Sequence, residues 1–355
     1  MENRLESGFI GRRQITAWFM LLLILTFLLI VWGAFVRLTG SGLSIPEWPI
    51  INGSLFPPTS DAGWQEVFKT YYLEVHNITE PTGPDVMPLS RFKTMFAIEY
   101  IHRFIAALVG LLFLVLLWFS LRHKNRRKLI GDLMIVAFLM LFIQVLLGGI
   151  VVREDLKAFL VAAHLGTAYM FFALMLWGYL KLSLAATVGE IPRTTKGNKL
   201  LLFSAIASIA LFFQIVSGGL MAGSGAGHIL NTFPKMGDAW IPGRALMFSD
   251  IYGGLWQNLT ENRVLIQFIH RWWLIVVVIT VGLMHGFSKN ATFSKWGRLA
   301  KASAGIILLV QFSFGVGNLM MKVPVYMSVI HSAIALLLFV SLIMVVFEAR
   351  FEGQK

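Results

Sequence analysis

Eight stretches of this 355-residue chain are apolar for long enough to cross a bilayer, at approximately residues 15–37, 94–120, 129–152, 158–183, 199–222, 264–287, 298–321 and 326–349. About 20 such residues span the hydrocarbon core. Inside lipid every backbone N–H and C=O must find a partner within the protein, which leaves only helices and closed barrels. None of the stretches alternates like a barrel strand. The expected fold is therefore an all-α integral membrane protein of eight transmembrane helices. Only 14% of the residues are charged, against roughly 25% in soluble domains. The first stretch is too long, and wrongly flanked, for a cleaved signal peptide, so it reads as the first spanning helix.

The net charge of +12 raises the question of nucleic acid, and the distribution of the basic residues answers it. With the N-terminus placed in the cytoplasm, most of the Lys and Arg fall in short inner loops and tails, above all in Arg122, Lys124, Arg126, Arg127 and Lys128. That is the positive-inside pattern, with both termini on the cytoplasmic side of the cell inner membrane. The basic balance reflects topology and contact with membrane lipid, and no nucleic-acid partner is expected. Cysteine is absent, which excludes disulfides, thiolate metal sites and cysteine catalysis.

The chain repeats itself. Glu99-Tyr100-Ile101-His102-Arg103 returns as Gln267-Phe268-Ile269-His270-Arg271, and His164 and His331 follow at nearly equal distances. Residues 1–190 and 191–355 thus read as two four-helix halves. Four is an even number, so the halves run in the same direction and should be related by an axis along the membrane normal, forming two pseudo-symmetric bundles. A weaker repeat marks the odd-numbered segments. Gln144 precedes Gly148-Gly149, Gln214 precedes Gly218-Gly219 and Gln311 precedes Gly315, each by one helical turn, while the first segment keeps only Gly33-Ala34. Small residues of this kind serve close helix packing, and they also leave room for a flat macrocycle.

On this topology every even-numbered segment starts on the outer side, so His102, His164, His270 and His331 share one depth near the outer leaflet. An ionisable residue inside a membrane is a candidate functional group. Two facing imidazoles in a four-helix bundle suit bis-histidine haem ligation, and zinc lacks further ligands for a closed tetrahedral site. Arg103 and Arg271 are placed to pair with haem propionates or to anchor at the interface. His76, His123, His228 and His285 have no such mates and are read as non-ligands. Glu99 lies one turn from His102 on the same helical face, where it can accept a proton, hold water or support a ligand. Its counterpart Gln267 cannot accept a proton, which points to a reactive first half and a structural or electron-transferring second half.

These residues resemble the haem A synthase family, in its cysteine-free type. The likeness rests on Glu99/His102, the four-histidine spacing, Arg37 through Ser44, Glu47-Trp48-Pro49 and Pro57-Pro58, and it covers nearly the whole chain. It implies oxidation of a haem O methyl group to the formyl group of haem A. It further implies a haem b on His270 and His331, with Arg271 beside it. The substrate haem would lie between His102 and His164, with Arg103 nearby and Glu99 as the catalytic residue. The implied partners are a haem O synthase and the assembly of a terminal oxidase, with an electron acceptor and a homo-oligomeric state left open. The competing reading is a di-haem b electron-transfer cytochrome linked to quinol, which predicts two equivalent sites. A transporter with parallel repeats would need broken helices and charges at the midplane, and these segments carry almost none.

Overall fold

The computed structural model describes residues 12–50, 53–188 and 199–351. Eleven α-helices occur among them: α1 (Arg12–Leu38), α2 (Asp61–His76), α3 (Leu89–Arg122), α4 (Lys124–Arg153), α5 (Ala158–Val188), α6 (Lys199–Ser224), α7 (Arg244–Met247), α8 (Leu255–Glu261), α9 (Arg263–Phe287), α10 (Lys295–Met320) and α11 (Val325–Arg350). Eight of these, α1, α3, α4, α5, α6, α9, α10 and α11, are long and apolar enough to cross a membrane. They coincide with the eight stretches read from the sequence. Among the described residues there is no β-strand, only an isolated bridge between Met236 and Ala239.

Helix α1 packs on α3, α3 on α4, α4 on α5, and α5 returns to α1. The later helices follow the same cyclic order, from α6 to α9, α10 and α11 and back to α6. The boundary expected at residues 190 and 191 lies outside the described residues. So do Arg4, Arg193, Lys196 and Lys355, which the inside-positive topology would also place in inner loops and tails.

Between the two rings, α5 lies along α6 and α11. The α5–α6 seam is built from small residues spaced by one turn. A Cβ added at Gly219 would stand 3.0 Å from the Ala162 Cα, and one at Gly223 only 2.6 Å from the Ala158 Cα. Such contact brings backbones together where no hydrophobic force exists between helices in lipid. Aromatic edge-to-face pairs, Tyr169 on Phe339 and Trp177 on Phe347, close the α5–α11 side at centroid separations of 5.3 and 5.1 Å. One continuous apolar core runs through both rings, with Phe19, Phe113, Met175, Val277, Met284 and Leu336 fully buried.

The stretch between the first two apolar segments carries a helix of its own. Trp64, Val67, Phe68, Tyr71, Tyr72 and Val75 recur at the spacing of an amphipathic helix and form α2. Ser60 caps it by accepting from the Gly63 N–H at 3.1 Å. Its apolar face covers Phe92 and Phe96 on α3, making a separate small core outside the main one. Helix α3 has 34 residues, about 50 Å at 1.5 Å per residue, so its first turns rise above a bilayer of roughly 30 Å to carry this cluster.

Candidate functional site

Each of the four histidines sits at the end of the bundle that carries the long loops, on α3, α5, α9 and α11. His164, His270 and His331 lie in the second turn of their helices. His102 lies deeper, in the fourth turn of α3, because that helix starts earlier than its apolar stretch suggested. All four residues are half-buried. His102 lies within electrostatic range of His164, and His270 within range of His331.

What faces each imidazole is a glycine on the preceding odd-numbered span. A Cβ built at Gly33 on α1 would meet Cε1 of His102 at 3.1 Å, and one at Gly148 on α4 would meet that of His164 at 3.3 Å. Gly218 on α6 stands in the same relation to His270 at 3.3 Å, and Gly315 on α10 to His331 at 3.0 Å. The room left by these glycines is therefore taken by the imidazoles themselves.

The glutamines one turn earlier reach the same rings. Gln144 Nε2 lies 3.2 Å from His164 Nε2, and Gln311 Nε2 lies 3.2 Å from His331 Nε2. Gln214 Nε2 donates to the backbone carbonyl of His270 at 2.8 Å and lies 3.3 Å from its Nδ1. The Thr167 hydroxyl donates to Gln144 Oε1 and fixes that amide. Helix α1 has Leu29 at the matching position, so His102 receives no amide from it.

Glu99 is buried, and both its oxygens are engaged. Oε2 accepts from the Ser44 hydroxyl at 2.8 Å and the Ile45 N–H at 2.9 Å, while Oε1 accepts from Arg103 Nη2 at 2.6 Å. Arg103 also donates to the carbonyls of Glu47 at 2.6 Å and Ile45 at 2.5 Å. Glu99 and Arg103 thus clamp the chain leaving α1 against α3. The second copy builds the same clamp with the opposite polarity. Gln267 Nε2 donates to the carbonyls of Ala226 at 2.9 Å and Ile229 at 2.6 Å, and Arg271 donates to those of Thr232, Lys235 and Leu230. The first loop presents N–H and O–H groups, which a carboxylate satisfies, and the second presents carbonyls, which only an amide N–H can satisfy. The acid–amide difference is written into the loops.

The other histidines stand apart from this arrangement. His76 Nε2 lies 3.1 Å from the Tyr71 hydroxyl, and His285 bridges the carbonyls of Val281 and Lys301 at 3.0 Å each. His123 joins α3 to α4, and His228 ends a short 3-10 turn.

Among the described residues no three His, Asp or Glu side chains come together as a cage for a bare metal ion. Each pair offers two imidazoles, the number a haem iron accepts axially. The buried Nδ1 atoms of His102, His164 and His331 have no protein partner. The glycines opposite hold space for rings rather than for larger side chains. The residues present fit a haem.

Fold and site together define a helical multi-pass membrane protein with two histidine pairs suited to haem ligation. The COX15-CtaA family, cytochrome oxidase assembly proteins, matches residues 16–343. The chain belongs to that family. It is 32% identical to the Heme A synthase of Nitrosospira multiformis, over 99% of this chain and 97% of that protein. To the Heme A synthase of Rhizobium etli it is 34% identical, over 93% and 88%. To that of Agrobacterium fabrum it is 31% identical, over 95% and 91%. The family expected from Glu99/His102 and the histidine spacing is the family found.

Proposed function

We propose that this protein is a haem A synthase, a membrane oxidoreductase that converts a methyl substituent of haem O to the formyl group of haem A. The observation that carries the reading is the set of four glycine-backed histidines in a chain whose relatives are named Heme A synthase along nearly their whole length. Methyl-to-formyl conversion needs two successive two-electron oxidations and one oxygen atom, so an oxidant and an electron acceptor from outside the chain are required.

His270 and His331 would hold a resident haem b, whose chemistry is one-electron transfer. Gln214 of α6 holds the His270 backbone carbonyl, Ser217 holds its ring and Gln311 of α10 lies beside the His331 ring, which suits permanent ligation. His102 and His164 would take the substrate haem. His102 lacks an amide partner on α1, and that suits a site which must load substrate and release product. Glu99 is the buried carboxylate of this end of the bundle, one turn from His102. Its charge keeps Arg103 and the Ser44–Glu47 segment in place over the first site, and in this reading it also accepts the proton released near His102. The unequal clamps, acid in one half and amide in the other, favour this assignment over a cytochrome with two equivalent haems. A haem O synthase upstream and terminal oxidase assembly downstream belong to the same proposal, as does a cell inner membrane location with cytoplasmic termini.

The test is acid extraction and chromatography of haem from the purified protein after co-expression with a source of haem O. Haem B accompanied by haem O, haem A or an oxidised intermediate is expected, and haem B alone at two per chain would refute the reading. His270→Ala and His331→Ala should lose the haem B, while His102→Ala and His164→Ala should keep it and lose the haem A.

A further inference from the structure

The four histidines differ in one respect that their spacing hides. Of the four Nδ1 atoms, those of His102, His164 and His331 are buried without a partner. His270 Nδ1 is met by the Ser217 hydroxyl of α6 at 2.8 Å, nearer than the Gln214 amide at 3.3 Å, which donates to the His270 carbonyl at 2.8 Å. Ser217 occupies the position just before the ring-facing glycine. The matching residues in the other three spans are Trp32, Leu147 and Phe314, and none carries a hydroxyl.

From this contact we infer that Ser217 is a positioning residue that fixes the tautomer of His270 and strengthens it as the permanent ligand of the second site. The inference rests on the haem reading above. A serine hydroxyl has a single proton, and that of Ser217 is directed to the Gln214 carbonyl at 2.8 Å. Only its lone pairs then remain for His270, so Nδ1 must carry the ring proton and Nε2 must present its lone pair to iron. A histidine whose second ring nitrogen donates to an acceptor is held in orientation and made more basic. Gln214, Ser217 and Gly218 lie on one face of α6 and define the ring from three sides: the amide holds the His270 carbonyl, the hydroxyl holds Nδ1 and the glycine clears Cε1. No equivalent pins His102, His164 or His331, so His270 is the one ligand of the four that is fixed at Nδ1.

The experiment compares wild type, Ser217→Ala, Ser217→Thr and Ser208→Ala in the purified full-length protein. Ser208 is another buried α6 serine, bonded to the Ser204 carbonyl and to no histidine. Readouts are the rate of haem b loss to an excess of apomyoglobin and the midpoint potential of the haem. Losing a hydrogen bond behind a metal-bound histidine commonly weakens metal binding about 10- to 100-fold. Ser217→Ala should lose haem faster by a factor in that range and shift the potential upward, because a less basic imidazole favours the ferric state less. Ser208→Ala and Ser217→Thr should match wild type. Equal behaviour of Ser217→Ala and Ser208→Ala would overturn the inference, as would a Ser217→Thr protein that folds and loses haem as alanine does. His270→Ala is measured alongside: full retention of haem b by that variant would instead defeat the haem assignment itself.

Discussion

Gly315→Ala adds one methyl group, and the geometry says where it goes: 3.0 Å from Cε1 of His331, 3.7 Å from both ring nitrogens. Two terms compete. In a helix, alanine is favoured over glycine by about 0.5–1 kcal/mol. Forcing a methyl group into an already packed site costs about 1–3 kcal/mol. The helix itself gains, and the penalty falls on the ring, which escapes by turning away from the position where it can ligate. Should the whole penalty bear on that orientation, haem affinity falls roughly 5- to 150-fold, since each 1.4 kcal/mol is tenfold. The informative result is a split: thermal midpoint in detergent unchanged or raised, and haem b content lowered. Gly282→Ala on α9 is the control, because a Cβ there meets nothing within 4 Å. It should stabilise slightly and keep its haem. The other three glycines extend the series, with Gly33→Ala at 3.1 Å more severe than Gly148→Ala and Gly218→Ala at 3.3 Å. A Gly315→Ala protein that retains as much haem b as Gly282→Ala would refute the idea that these glycines exist to seat imidazoles.

The clamps predict an asymmetric response to exchange. Glu99→Gln sets an amide N–H against either Arg103 or the Ser44 and Ile45 donors, leaving one of these groups unsatisfied at about 1–3 kcal/mol, and it should abolish formyl product while haem b stays bound. Gln267→Glu aims a buried carboxylate at the carbonyls of Ala226 and Ile229, and should lower thermal stability more, by about 3 kcal/mol or above; equal losses in the two variants would contradict the opposite polarity of the loops. Phe92→Ala removes a fully buried ring joining α2 to α3, at about 3–5 kcal/mol for the local core. Limited proteolysis should then cut between residues 53 and 88 sooner, with no change in the spanning helices.

The spanning helices were legible because lipid leaves a chain so few options: twenty apolar residues in a row have one reading. The histidines were legible through their repeat, and so were the Gln–Gly turns, although the target of each was not. Spacing along one helix cannot reveal that Gly33 faces a ring on α3, since that depends on which helices become neighbours. Helix α2 carried a clear periodic signal in Trp64 to Val75, obscured by the surrounding prolines and glycines. Ser217 had a signal too, being the lone hydroxyl among four equivalent positions, but it acquires meaning only once its distance to Nδ1 is known. The guanidinium groups of Arg103 and Arg271 went to loop carbonyls, partners that a sequence cannot display because every residue has one.

The seam between α5 and α6 has a consequence for timing. His164 rides on α5, and the residues that hold His270 ride on α6. With Gly219 and Gly223 pressed against Ala162 and Ala158, neither helix can slide past the other. Electron tunnelling falls off exponentially with distance, so a separation that drifted by an ångström or two would make each transfer unpredictable in rate. If the two sites hold haems as proposed, helices locked backbone to backbone would turn the gap between them into a constant, and a multistep oxidation would keep a steady rhythm from one electron to the next.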